Sequence, residues 1–113
     1  ASYNDVIHLL SSLKLCADNI IIKEGWFQDI LPKFKKEIGP IAILRLDCDW
    51  YASIKCCLEN LYQNVIPGGY IVIDDYGYWK GCKRAIDEFL MERKMSTSLL
   101  KQIDIERHYF QKP

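Results

Sequence analysis

Four carboxylates stand in two tight groups, Asp47 and Asp49 in "AILRLDCDWY" (42–51) and Asp74 and Asp75 in "YIVIDD" (70–75). Each group ends an apolar run that reads as a buried strand. If the two strands are neighbours, their ends lie about 4.8 Å apart. Carboxylates held that close repel, so either one keeps its proton or a cation sits between them. No histidine or thiol pattern stands alongside, and oxygen ligands alone select a hard ion, magnesium before calcium or manganese. Cys48 faces away from Asp47 and Asp49 if the strand continues through it, which removes it from the ligand set. The competing reading gives the same acids to the following helices as N-terminal caps.

The elements that must position these acids follow from periodicity. Residues 4–14 place Val6, Ile7, Leu10 and Leu13 on one helical face, with Asn4 or Ser2 as cap. "NIIIKEG" (19–25) is short, β-branched and closed by glycine, and predicts a strand over 20–24. A helix follows in "WFQDILPKFKKEIGP", its regular part starting near Ile30 because Pro32 is tolerated only in a first turn. Residues 41–47 form a strand broken only by Arg45, and residues 50–65 a helix with Ile54, Cys57, Leu58, Leu61 and Val65 on one face. "IPGG" reads as a turn, "YIVIDD" as a second buried strand, and Cys82, Ala85, Ile86, Phe89 and Leu90 as a further helical stripe. The tail, alternating around Leu99 to Ile105 and aromatic at Tyr109 and Phe110, predicts one or two closing strands. Strands separated by helices imply right-handed crossovers and a mostly parallel sheet between helix layers, a three-layer Rossmann-like α/β fold. Ligands bind such sheets at the carboxyl ends of the strands, where all four acids fall.

A chain of 113 residues, half of them hydrophobic, makes one domain, residues 1–113. Fifteen basic residues balance fifteen acidic ones, which leaves no basic footprint for nucleic acid and no bulk attraction to a membrane surface. The five cysteines, Cys16, Cys48, Cys56, Cys57 and Cys82, form no C-x-x-C pair and read as reduced thiols. No apolar stretch approaches a membrane span and the first residues lack a signal-peptide layout, so a cytoplasmic protein is expected.

"GWFQDILP" (25–32), "LRLDCDWYASIKCCLENLY" (44–62), "PGGYIVIDDYG" (67–77) and "GCKRAIDEF" (81–89), in this order and spacing, resemble the macrocin O-methyltransferase family. The resemblance runs from about Asp5 to Tyr109. It implies a class I methyltransferase that uses S-adenosylmethionine and a divalent metal such as magnesium to methylate a hydroxyl of a small-molecule acceptor, a sugar in this family. It further implies Asp47, Asp74 and Asp75 as metal ligands, Asp49 as general base, and Gly25 and Trp26 beside the cofactor. Core packing is the alternative for Trp26, and Tyr76, Tyr78 and Trp79 are candidates to wall the acceptor pocket. Where the family has glycine this chain has Cys48, and Ala52, Ser53 and Ile54 replace an acid, a serine and a threonine.

A methyltransferase of this class opens with a strand, a G-x-G turn and a second strand ending in an acid; none of these precedes residue 20, and the six glycines never form G-x-G. The resemblance therefore implies a truncated fold lacking the first two strands, a C-terminal portion or fragment of the enzyme. The strand at 20–24 then either slides in beside residues 41–47 or leaves that edge open to a partner chain, including a second copy. Sliding in is the expectation, because an open apolar edge invites aggregation. Two other function classes compete. One is a haloacid-dehalogenase-type phosphohydrolase, although "DWYAS" lacks the threonine-like position after its D-x-D and the two acidic motifs lie only about 25 residues apart. The other is a non-catalytic α/β module that binds a partner along the open edge.

Overall fold

The computed structural model describes residues 2–14 and 20–113; Cys16 and Asn19 lie outside the described residues. Tyr3–Ser12 forms α1, and Ser2 is its cap. The Ser2 hydroxyl accepts the Asp5 N–H at 3.1 Å while the Asp5 carboxylate accepts the Ser2 N–H at 3.2 Å, so two orphan donors are satisfied reciprocally. None of the helix's residues is buried.

Residues 20–24 form no strand, which corrects the expectation that they slide in beside residues 41–47. β-branched composition favours a pleated surface only where a neighbouring strand supplies hydrogen bonds and packing. Here Ile20 and Ile21 stay exposed. The next helix, α2 (Phe27–Ile38), starts three residues earlier than the position of Pro32 suggested. The Trp26 carbonyl accepts the Asp29 and Ile30 N–H groups, both at 3.0 Å, so the helix is already under way when it reaches Pro32, which supplies no N–H to the Gln28 carbonyl.

Then come β1 (Ile41–Leu46), α3 (Tyr51–Leu61) with a 3₁₀ turn at Tyr62–Asn64, β2 (Val65–Ile73), α4 (Lys80–Glu92), β3 (Lys101–Gln102) and β4 (His108–Gln111). Asn64 donates to the Lys35 carbonyl at 2.8 Å and the Gly39 carbonyl at 2.9 Å, closing the carboxyl end of α2. The "PGG" segment is part of β2 and not a turn. It forms an irregularity, with Val65 opposite Ile41 but Tyr70 opposite Ile43. Lys112 fastens it, since the Gly68 N–H donates to the Lys112 carbonyl and the Lys112 N–H to the Gly69 carbonyl, both at 2.8 Å. A side chain at Gly69 would meet the Ala42 carbonyl at 2.9 Å, so the close approach of β1 here requires glycine. The alternation expected through Ile105 stops at Gln102: the Asp104 carboxylate accepts the Glu106 and Arg107 N–H groups, and a turn replaces the strand.

The sheet runs β1-β2-β4-β3, with β1 parallel to β2 and the other two pairings antiparallel. It is mixed because the closing strands return as antiparallel neighbours. Leu44, Leu46, Ile71, Ile73 and Phe110 share one face and pack in a single core with Ile54, Cys57, Leu58 and Leu61 of α3 and Cys82, Ala85, Ile86, Phe89 and Leu90 of α4. All five positions of the α4 stripe expected from sequence are buried. The other face is not sealed: Ile43 is 64% and Tyr70 41% exposed. The described residues thus build two of the three expected layers, and β1 is an edge strand. None of the described helices is long and apolar enough to cross a membrane.

Candidate active site

Because β1 and β2 are parallel neighbours, their carboxyl ends open on the same side. The ladder continues one step past β2, where the Asp74 N–H donates to the Leu46 carbonyl at 3.0 Å. All four acids come to this end of the sheet, as the sequence predicted, but they are divided into two pairs.

Asp47 and Asp74 turn to Arg45. The Arg45 guanidinium holds the buried Asp74 carboxylate as a fork, Nε to Oδ1 at 3.2 Å and Nη2 to Oδ2, and Nη2 also lies 4.0 Å from Asp47 Oδ2. Burial is lopsided, with the Arg45 side chain 62% exposed and that of Asp74 8%. The hydrogen bond and charge of Asp74 push the Arg45 guanidinium still further toward its charged form.

Asp49 and Asp75 face each other. Burial, then a hydrogen bond with Asp49, then the charges of Asp49, Asp47 and Asp74 push the Asp75 carboxyl up to about 6. Its Oδ2 is closed to solvent and has no hydrogen-bond partner. A buried acceptor without a donor is uncommon in folded proteins and marks a place where a cation or proton belongs. Cys48, between the two acids of β1's end, leans into the core as expected. A hydrogen bond from Cys57 lowers the Cys48 thiol, while that contact and burial raise Cys57. The four described cysteines are free thiols.

The capping reading fails on geometry. Trp50 and Trp79 hold the cap positions of α3 and α4, and neither helix has a side-chain cap. The loops that carry the acids are fixed from behind. Tyr76 donates to Asp87 at 2.6 Å, with Lys83 on the same carboxylate at 2.8 Å, and Tyr51 donates to Glu88, whose partners include Arg84 at 3.0 Å. At Gly81 a side chain would sit 3.2 Å from the Tyr51 N, so glycine lets the two helix starts approach. Gly77 is tighter, since a Cβ there would fall 1.8 Å from the Ile105 carbonyl oxygen, and its N–H donates to the Glu106 carbonyl at 3.0 Å. Gly77→Ala should therefore cost about 2–3 kcal/mol, read as a lower urea midpoint at unchanged m, because backbone and not a flexible side chain must give way.

Gly25 and Trp26 open α2, on a different element from the acids, and no hydrogen bond or ion pair among the described residues joins them to the acids. Gly25 has φ +141°, and a Cβ there would meet Ile30 Cδ1 at 2.5 Å, so the turn needs glycine. Trp26 is 73% exposed and takes no part in the core built by the described residues. Among the described residues, no three His, Cys, Asp or Glu side chains are grouped to hold a metal ion as they stand. Arg45 is the member of the site that reading for acids overlooks. Its signal was a lone charge in an apolar strand, two residues before Asp47 and hence on the same face.

The family model described as macrocin O-methyltransferase (TylF) matches residues 1–112. The chain is 40% identical over 88 residues, 78% of its length, to the demethyldecarbamoylnovobiocin O-methyltransferase of Streptomyces niveus, of which it covers 32%. It is 39% identical over 75 residues, 66% of its length, to the 8-demethyl-8-(2,3-dimethoxy-alpha-L-rhamnosyl)-tetracenomycin-C 4'-O-methyltransferase of Streptomyces olivaceus, of which it covers 28%. Among solved structures, the O-methyltransferase NovP superposes with a TM-score of 0.92 at 34% identity over 99% of this chain and 45% of NovP. The chain thus spans less than half the length of each of these relatives. A truncated methyltransferase fold replaces the phosphohydrolase alternative, whose two acidic motifs would need more chain between them. With its paired acids at the ends of two parallel strands and a match running from residue 1 to 112, this chain belongs to the macrocin O-methyltransferase family.

Proposed function

We propose that this chain carries the metal and acceptor side of an S-adenosylmethionine-dependent O-methyltransferase centre acting on a sugar hydroxyl. The observation that carries the reading is the buried, unpartnered Asp75 Oδ2 beside Asp49 at the ends of neighbouring parallel strands. The rhamnosyl group in the name of the S. olivaceus relative supports a sugar acceptor.

The donor set is all carboxylate, which fits magnesium or another hard divalent cation. Asp47, Asp74 and Asp75 would hold it, and when bound it would lower the pKa of an acceptor hydroxyl and orient it. Asp49, exposed on the loop between β1 and α3, would take the hydroxyl proton as general base. Tyr78 and Trp79, exposed at the start of α4, offer apolar walls for a sugar ring. For S-adenosylmethionine the residues present fit less well. The exposed turn at Gly25 and Trp26 supplies one wall, and no G-x-G turn stands among the 113 residues.

Calorimetric titration separates these parts. Magnesium alone should give a saturable heat, and no heat at millimolar concentration would overturn the metal reading. S-adenosylmethionine added with excess magnesium then shows whether these residues complete a cofactor site; saturable binding that is lost in Trp26→Ala would assign it to that turn, and no binding would confine this chain to the metal and acceptor side. A second reading, pairing of two copies along the free edge of β1, draws on the exposure of Ile43. Sedimentation tests it: a monomer at high concentration would remove it.

A further inference from the structure

We infer that Arg45 is the internal counter-ion of Asp74 and the cation against which a divalent metal must compete for that carboxylate. The inference rests on the metal reading above, and the geometry around Arg45 extends it. Four carboxylates meet at the ends of two adjacent strands, and they are compensated unequally. Asp75 faces Asp49, and its Oδ2 has no hydrogen-bond partner. Asp74, the most buried of the four, is matched by the Arg45 fork, and the same Nη2 stands 4.0 Å from Asp47.

Two of the three residues that would hold a metal are therefore turned toward one guanidinium. This explains why a site rich in acids presents no ready three-ligand group. A carboxylate has about four acceptor positions, so Asp74 held on both oxygens still has lone pairs to offer. The guanidinium is mostly solvent-exposed while its partner is buried. It can therefore swing toward water without unpacking the core, provided the incoming cation replaces the fork on Asp74, which cannot follow it. The arrangement suits exchange of one cation for another at a fixed carboxylate. An arginine adjacent to the site also lowers cation affinity by like charge, by an amount that exposure keeps modest.

The test is Arg45→Gln, which keeps a polar side chain of similar reach without the charge, followed by thermal unfolding and magnesium calorimetry of the chain. Without metal the variant should melt lower than the parent. Saturating magnesium should raise its Tm by more than it raises the parent's, and its magnesium affinity should be on the order of threefold to tenfold higher. Arg45→Lys should restore most of the metal-free Tm and the parent affinity, because the charge is returned without the fork. If the Gln variant is too unstable to measure alone, unfolding in saturating magnesium should bring its Tm back toward the parent's, and no recovery beside a parent that binds magnesium would overturn the inference.

A parent that binds magnesium together with a Gln variant that binds no tighter would overturn the inference and leave the metal reading standing. A Gln variant that melts lower while neither protein responds to magnesium would overturn both, and Arg45–Asp74 would be a structural ion pair only.

Discussion

Asp75→Asn should remove most of the magnesium response of this chain and, in the absence of metal, raise its Tm. The two effects have one cause. As a carboxylate, Asp75 is pressed toward Asp49 with Asp47 and Asp74 nearby, and its inaccessible Oδ2 has no donor. An amide of the same shape carries no charge and offers two N–H donors, which Asp49 can accept. Relief of an unsatisfied buried oxygen is worth about 1–2 kcal/mol. The same change deletes an anionic oxygen that a hard cation requires, and magnesium affinity should fall by more than about tenfold. Urea unfolding with and without magnesium reads both quantities on one sample. A variant that is less stable than the parent without metal would show that Asp75 is satisfied by packing, and unchanged magnesium affinity would remove it from the ligand set. Gain of stability with loss of binding is the pattern of a site held under strain for function.

Phe110→Ala should be the most destabilising single change, by about 3–5 kcal/mol. Phe110 is fully buried in β4, opposite Ile71 in the register, and its ring stacks on Tyr62 at 6.4 Å between centroids. β4 is four residues long and is what joins β3 to the rest of the sheet. Of its four residues Phe110 alone is fully buried, so the core contact of β4 beneath its four register pairs with β2 runs through this one side chain. For a small domain whose total stability is about 5–15 kcal/mol, a loss of that size leaves little margin. Chemical denaturation should show a much lower midpoint. Loss of less than about 1 kcal/mol would mean that the helix layer collapses into the space and that β4 is not held by its core residue.

Much of this was legible before any coordinates. The α4 stripe from Cys82 to Leu90 was fixed by periodicity, because burial of a helix against a layer imposes a repeat of 3.6 residues whatever the neighbours are; β1 and β2 were legible as continuous apolar runs, which suggested cover on both faces where the structure seals one. The four acids could be placed at one end of the sheet by a rule of topology alone, since parallel strands joined by a crossover helix end on the same side. Recognition of the family rested on the same segments.

Where local pattern depended on a distant partner, sequence misled. "NIIIKEG" has the composition of a strand but no strand beside it, and "IPGG" has the composition of a turn but is drawn into β2 by hydrogen bonds to Lys112. Residue types and their order determined that carboxylates gather at the ends of β1 and β2, because chain direction and side-chain alternation are local properties. Only the tertiary structure decided how those charges are compensated. Asp74 is held by Arg45, 29 positions away along the chain, and Asp75 faces Asp49; partners in space depend on register across the sheet, which no single segment specifies.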